Sequence, residues 1–470
     1  MSHTLSPSQS PRPLNNGEID IGLVLNQGRF GFLQQFVVIL IALIIIIEGI
    51  DIQLFSYALP QILRDWQMTR ADFGLAATAN SIGLFAGTLM SGYIADKMGR
   101  RSLLLMSLFL CGLATFMVGL AGDANQIAFW RLLTGLGIGG ALPVCTTMIA
   151  EFSPQRYRTL AVTLSIICIP LGGILAGFFA DLVLDPLGWE KAFFIGGLTP
   201  LGLWLVSLLS LPESPRFLSR TPARWAELCR LLQRLNKPVA PQSRFIDAQE
   251  AYQGGQSKID LGSLFRKGLA RDTLGLWLLF FFCMIASYAI FAWLPTMLEG
   301  AGVARQEARF SLILYNAGGI VGIAICAPLL ARFGSRLAMS LCAVGGLLTI
   351  IPLFWLNIAD EVNMMLSLIT LNGVFANAVQ SALYAFAAHL YTTQIRATGT
   401  STALVSGRIG GIIAIYTSAH LGGFNGYLTM LIGAMALSIV VVLALRRHII
   451  PVKNHEPFND EMENQFSRSS

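Results

Sequence analysis

Charged residues are scarce in this chain: Asp, Glu, Lys and Arg make up 12% of its 470 residues, about half the share carried by soluble domains. Histidine is scarcer still. Of the five copies, His3, His448 and His455 sit in terminal segments, while His389 and His420 lie near opposite ends of apolar stretches. No nucleophile–base set and no metal cluster converges, so neither an enzyme nor a cofactor is expected. Disulfide and zinc spacings are missing as well. Six of the seven cysteines (Cys111, Cys145, Cys168, Cys283, Cys326, Cys342) fall in apolar stretches, where they read as small packing residues, and Cys229 falls outside them. Residues 1–16 lack the short apolar core of a cleaved signal peptide and read as a disordered cytoplasmic tail, as do residues 452–470.

Apolar residues are what the chain has in excess, 54% of the total, with a mean hydropathy of +0.64. A helix needs roughly 20 mostly apolar residues to cross a ~30 Å hydrocarbon core. Twelve such stretches occur, at 36–60, 73–95, 102–122, 128–150, 159–182, 192–211, 272–298, 309–331, 337–356, 364–387, 398–422 and 427–446. The prediction is an all-α membrane protein with twelve transmembrane helices. Lysines and arginines set its orientation. With both termini cytoplasmic, inner segments hold 25 of the 32, and outer loops hold five: Arg64, Arg70, Lys191, Arg305 and Arg309. Arg131 and Arg408 fall inside predicted helices. The net charge of +6 is thereby explained by topology, without a nucleic-acid partner.

The widest gap between spans divides the chain into a cytoplasmic tail (1–35), a six-helix bundle (36–211), a cytoplasmic central loop (212–271), a second six-helix bundle (272–446) and a C-terminal tail (447–470). Within the loop, Trp225, Leu228, Leu231, Leu232 and Leu235 recur at helical spacing with arginines between them. That pattern suits a helix on the inner membrane surface, or a connector packed under the bundle. The halves repeat one another. A single offset superposes Gly83, Gly87 and Gly99 on Gly318, Gly322 and Gly334. A slightly larger one superposes Arg158 on Arg396 and Gly172-Gly173-Ile174 on Gly410-Gly411-Ile412. Duplicated halves of this kind hold substrate near the midplane in many secondary transporters.

Three places carry chemistry. In the loop Gly92-Tyr93-Ile94-Ala95-Asp96-Lys97-Met98-Gly99-Arg100-Arg101, Gly92 lets a helix approach closely, Gly99 supplies a turn, and Asp96 can meet a helix N-terminus or the nearby arginines. Together they form a charge latch that is made in one state and broken in the other. Helix 1 carries Glu48-Gly49-Ile50-Asp51 after an unbroken apolar run, with both carboxylates on one face about 18–23 Å along the span. Ionised carboxylates there cost several kcal/mol unless paired or protonated, which makes the pair a natural proton acceptor or a structural charge pair. Arg131, in a glycine-rich helix 4, lies at a depth compatible with Asp51, as an ion-pair partner or as an arginine snorkelling to headgroups. Arg408 lies near the bilayer centre in helix 11, and the second-half spans offer it no carboxylate, so an anionic substrate or a pairing across the halves would satisfy it. Around these charges stand Tyr288, Trp293, Tyr315, Asn316, Asn372, Asn377, Gln380 and Tyr384, able to stack an aromatic ring and hydrogen-bond its hydroxyls.

The loop from Gly92 to Arg101 resembles the loop between helices 2 and 3 of the major facilitator superfamily, and the resemblance covers the twelve-helix layout. It implies two pseudo-symmetric six-helix bundles and alternating access. More narrowly, Glu48-Gly49-Ile50-Asp51 looks like the acidic-Gly-x-Asp signature of the aromatic acid:proton symporters, with Glu48 in place of the more usual aspartate. Arg131, Glu151 followed by Arg156 and Arg158, and Arg396 with Arg408 sit where that family keeps charged functional residues. The resemblance implies proton-driven uptake of a small hydroxylated benzoate-type acid through a bacterial inner membrane. Pro212-Glu213-Ser214-Pro215-Arg216 is similar instead to the sugar porters, whose glutamine-bearing helix 7 has no counterpart here. A sugar or other organic-anion symporter, or a non-transporting sensor, are the alternatives. A monomer in the lipid bilayer is expected.

Overall fold

The computed structural model describes residues 18–26, 30–240, 243–247, 261–265, 269–391 and 395–449. Its long helices are α1 (Phe32–Asp65), α2 (Gly74–Met98), α3 (Arg100–Val118), α4 (Ala124–Phe152), α5 (Gln155–Phe179), α6 (Trp189–Ser210) and α7 (Ala270–Gly300). Next comes one long helical stretch, Arg305–Ile350, which Gly334 at φ 72° breaks into α8 (305–333) and α9 (335–350). The last three are α10 (Val362–Leu390), α11 (Arg396–His420) and α12 (Gly423–Ala444). Nine helical stretches among the described residues are long and apolar enough to cross a membrane, one of them the bent Arg305–Phe354. α2 and α11 are not among those nine. Both are rich in Gly, Ala, Ser and Thr, the composition of helices that pack against other helices, and they pack on each other. Large side chains such as Leu89, Phe129, Leu182, Leu209, Leu348 and Val440 are exposed along the outside. That surface would aggregate in water and is at home in lipid.

The repeat seen in the sequence is present in the backbone. Gly99, at φ 98°, breaks α2 from α3, and its counterpart Gly334 breaks α8 from α9. Both positions need a left-handed conformation, which glycine adopts without steric cost. α1 meets α5 where Gly49 and Gly172 face each other, with a Cβ at Gly49 falling 2.6 Å from the Ile169 carbonyl. α7 meets α11 in the equivalent way, through Gly410 against the Phe281 carbonyl.

Inner and outer name the two ends that the lysine and arginine bias would place inside and outside. At the outer end, residues of α1, α2, α5 and α6 share one hydrophobic core with residues of α7, α8, α10, α11 and α12. Toward the inner end the core divides. One cluster gathers α1, α3 and α4 (Ile41, Leu104, Met148), and another gathers α7, α9 and α10 (Leu279, Met339, Phe386). Among the described residues, every hydrogen bond and ion pair between α1–α6 and α7–α12 lies at mid-depth or at the outer end. The molecule is closed outside and parted inside.

The connector between the halves is not a surface-lying helix. Its helix Trp225–Arg234 buries Leu228, Leu231 and Leu232 against Ile19, Ile21, Val24 and Leu25. The strand Glu18–Asp20 pairs in parallel with Arg244–Ile246. The apolar face is thus covered by protein rather than lipid, and residues 18–26, assigned to the N-terminal tail by sequence, form part of this small layer. Lys237 donates to the Leu25 carbonyl at 2.7 Å, and burial pulls its ammonium down to about 8.

Candidate functional site

The Gly49–Gly172 contact turns the acidic face of α1 away from α5 and toward α3 and α4. Asp51 accepts a hydrogen bond from Thr115 of α3 at 2.5 Å and lies 3.6 Å from the Arg131 guanidinium of α4. Asp51 and Arg131 are each 3% exposed, which excludes a snorkelling Arg131. Arg131 also reaches the Asp51 carbonyl at 3.5 Å and sits 4.5 Å above the Phe55 ring, a cation–π contact one turn farther along α1. Glu48 is equally buried, and its Oε2 has no hydrogen-bond partner among the described residues. A buried carboxylate oxygen without a donor is expensive as an anion. The cluster therefore holds one carboxylate that is paired and one that a proton would satisfy.

In the second half, the close contact of α7 and α11 sets Arg408 against Tyr288. The Arg408 guanidinium donates to the Tyr288 hydroxyl and stands 5.9 Å from the ring centre. No carboxylate pairs with Arg408 among the described residues. Both side chains are half-buried, and Gln380 and the exposed Tyr384 of α10 stand nearby, Tyr384 edge-on to Phe280 at 5.6 Å and Gln380 against the Met284 sulfur at 3.8 Å. Asn377 lies at the margin of this group, donating to the Gly373 carbonyl at 2.9 Å.

Two of the expected cavity residues are elsewhere. Trp293 is fully buried and donates to the Ile415 carbonyl at 2.9 Å. Tyr315 is fully buried edge-on to Phe291 at 5.6 Å. Both belong to the outer core that the two halves share, which is sealed in this conformation. Asn372 is likewise tied to α9 by the Gly346 carbonyl. Asn316 is buried too, but in a different setting: it exchanges hydrogen bonds with Gln53 of α1, 2.8 Å in one direction and 3.1 Å in the other.

At the inner end the loop 92–101 forms a network with the first half and the connector. Asp96 lies 3.6 Å from Arg100 and 3.4 Å from Arg220, Arg100 lies 3.7 Å from Glu151, and Glu151 accepts from the Ser214 hydroxyl. Arg101 donates to the carbonyls of Leu208 and Leu211, and its own N–H donates to Glu213. Arg158 donates to the Ala150 carbonyl and to Asn26 of the connector layer. Gly92 departs from the expected close packing: it is exposed, and nothing lies within 4 Å of where its Cβ would be. The helix face it interrupts is uncovered because the halves are parted at this end. Arg396 opens α11, and its side chain lies outside the described residues.

Thr115, Gln53, Glu213, Ser214 and Arg220 are site residues that sequence reasoning passed over. Glu213 and Ser214 had a signal, since they stand in the segment set aside as sugar-porter-like. Thr115 and Gln53 are lone polar residues in long apolar helices, which is a weaker signal.

Comparison with known proteins agrees with this architecture. The family model of the Major Facilitator Superfamily matches residues 41–415 and 276–468. The gallate transporter of Pseudomonas putida is 31% identical over 85% of this chain and 88% of its own length. The 4-hydroxybenzoate transporter PcaK of Pseudomonas aeruginosa is 31% identical over 90% of this chain and 95% of its own. Among solved structures, a D-xylose-proton symporter superposes with a TM-score of 0.66 at 16% identity, covering 88% of this chain and 98% of that one. At that identity the likeness shows the fold alone. The chain is a multi-pass membrane transporter rather than an enzyme, and it belongs to the major facilitator superfamily, in the branch that holds these aromatic-acid transporters.

Proposed function

We propose that this protein imports a hydroxylated aromatic carboxylic acid together with protons by alternating access. The observation that carries the reading is Arg408: a guanidinium deep in a membrane helix, partnered by the Tyr288 hydroxyl and by no carboxylate among the described residues. A substrate carboxylate supplies the missing charge, bidentately, while its ring meets Tyr288 and Tyr384. The names of the curated relatives, gallate and 4-hydroxybenzoate transporters, support that substrate class.

Proton coupling follows from the cost of import. An anion entering a negative interior is opposed by about 2.3 kcal/mol per charge per 100 mV, and one proton per monoanion cancels that opposition. Glu48 and Asp51 are the carriers in this reading, with Arg131 the cation that competes with the proton for Asp51. All twelve helices cross the membrane with both termini cytoplasmic, the two six-helix bundles rock about the Arg408 level, and the unit acts as a monomer.

The test uses purified protein in proteoliposomes with radiolabelled 4-hydroxybenzoate and an imposed inward proton gradient. Wild type accumulates the acid above equilibrium, and sugars do not compete. Asp51→Asn exchanges internal for external substrate but does not accumulate it against a gradient. Undiminished gradient-driven accumulation by Asp51→Asn removes Asp51 from the coupling role, and competition by sugars removes the aromatic substrate.

A further inference from the structure

Gln53 and Asn316 form the one pair of buried side chains that hydrogen-bond to each other across the two halves among the described residues, and each gives and takes one bond. They are 2% and 1% exposed. The pair is fitted closely: a Cβ at Gly173 of α5 would fall 2.2 Å from the Gln53 amide nitrogen, so the glycine makes room for that amide. Asn316 is further fixed by donating to the Leu312 carbonyl at 2.8 Å.

Their depth matches that of the anion site. Four helical stretches measure it: Gln53 to Asp65 at the end of α1, Asn316 back to Arg305 at the start of α8, Tyr288 to Gly300 at the end of α7, and Arg408 to His420 at the end of α11. At ~1.5 Å per residue each of them spans about 17–18 Å down from the outer end of its helix. Those ends are level with one another, since Arg64 near the end of α1 pairs with Glu299 near the end of α7, and Trp293 of α7 bonds to Ile415 of α11. One polar layer therefore contains a cation, a phenol and two amides, drawn from both halves.

We propose that Gln53 and Asn316 are the specificity-determining residues that read the ring hydroxyl of the substrate. This rests on the reading of Arg408 as the carboxylate site. When α1 and α8 part to open the outer side, each amide loses its partner and exposes a donor and an acceptor in a layer otherwise surrounded by apolar helices. An unpaired buried amide is costly, so the vacated positions favour a ligand that can both give and take a hydrogen bond. A phenolic hydroxyl does both, and a plain benzoate ring does neither. With the carboxylate on Arg408, the far side of the ring is presented to the amides. When the outer side closes again, the amides re-form their own pair, which releases the hydroxyl toward the inner opening.

The test compares uptake of radiolabelled benzoate and 4-hydroxybenzoate, as the ratio of Vmax/KM within each variant, so that expression level drops out. Wild type favours the hydroxylated acid. Gln53→Leu and Asn316→Leu each lose about tenfold of that preference, the worth of one good hydrogen bond, while benzoate uptake persists. A pair that merely fastens the halves would slow both acids alike and leave the ratio unchanged, which overturns the proposal. Wild type that takes up both acids without preference overturns it as well, and wild type that takes up neither overturns instead the reading of Arg408. If the leucine variants do not reach the membrane, Gln53→Asn and Asn316→Gln keep the amides but displace them by one methylene. An unaltered ratio in those variants counts equally against the proposal.

Discussion

The outer closure depends on Arg309, and its removal has a calculable effect. Arg309 of α8 is 1% exposed and holds two carboxylates from the end of α5, Asp185 at 2.8 Å and Asp181 at 3.5 Å, in the other half of the molecule. The two aspartates are four residues apart and so share one helix face, at the π-turn Ala180–Leu184. Both are nearly half-exposed, so solvent screens the attraction, and the pairs belong between the exposed limit of below ~1 kcal/mol and the buried limit of about 3–5 kcal/mol. Arg309→Ala removes both contacts and leaves no buried charge behind, since the aspartates can hydrate. A loss of about 1–3 kcal/mol lowers the outward-closed population relative to the outward-open one by roughly 5–150-fold. Spin labels at Asn125→Cys and Ala359→Cys, on exposed outer positions of opposite halves in a Cys229→Ser background, would show a second, longer distance growing in. Arg305→Ala is the internal comparison. Arg305 is 42% exposed and, among the described residues, its one ion pair is with the half-exposed Asp185, at 3.6 Å, so its variant should shift the distribution less than about fivefold. Distance distributions of Arg309→Ala that overlay the wild type would refute the assignment of the closure to this arginine.

Two further outcomes follow from the inner end. Gly99→Ala forces a Cβ to 2.2 Å from the Glu213 carboxylate at a φ of 98°, so the detergent-solubilised protein should lose about 1–3 kcal/mol, read as a lower unfolding temperature. Leu232→Asp places a carboxylate in the connector layer against Ile21 and Leu25, and limited trypsin digestion should then cut between Arg220 and Arg234 while the helical bundle stays intact.

The helices were legible in the sequence because lipid leaves little choice. A segment that crosses it must satisfy its backbone internally and be apolar over about 20 residues, and the predicted spans accordingly lie close to the observed helices, most ends within about a turn and a half. The repeat was legible because a backbone requirement, φ of 72° at Gly334 and 98° at Gly99, has a one-residue signature. Asp51 and Arg131 were legible as partners because charges deep in an apolar span have few ways to be satisfied. What stayed hidden was relational. The apolar stripe of 225–235 looks the same whether lipid or protein covers it. Its cover lies about 200 residues away in the sequence, in Ile19–Leu25, a segment whose helix, Ile21–Asn26, is too short for its spacing to stand out. Trp293 and Tyr315 have the right chemistry for a cavity, but whether a side chain at that level is sealed depends on which end of the protein is shut. Gln53 gave no reason to expect Asn316, because an amide does not reveal its partner as a charge does.

The two ends of the molecule are not equivalent despite the repeat. Under the offset that carries Gly99 onto Gly334, Lys97 maps onto Arg332 and Arg101 onto Arg336, but Asp96 maps onto Ala331. Only the first half has a carboxylate at that point of its inner loop, so an electrostatic closure there cannot be symmetric. In the present conformation that carboxylate is 63% exposed and engages Arg100 of its own half and Arg220 of the connector, at 3.6 and 3.4 Å. Such long, solvated contacts hold little energy, and a carboxylate that is weakly held can exchange partners at small cost. Arg309 at the outer end is the opposite case, a buried cation whose partners are already in place across the halves. The charges thus differ in cost: opening outside must hydrate Arg309, while Asp96 gives up little by changing partners. A balance between those two effects, within a few kcal/mol, is what would let the binding of one small ligand decide which end is shut.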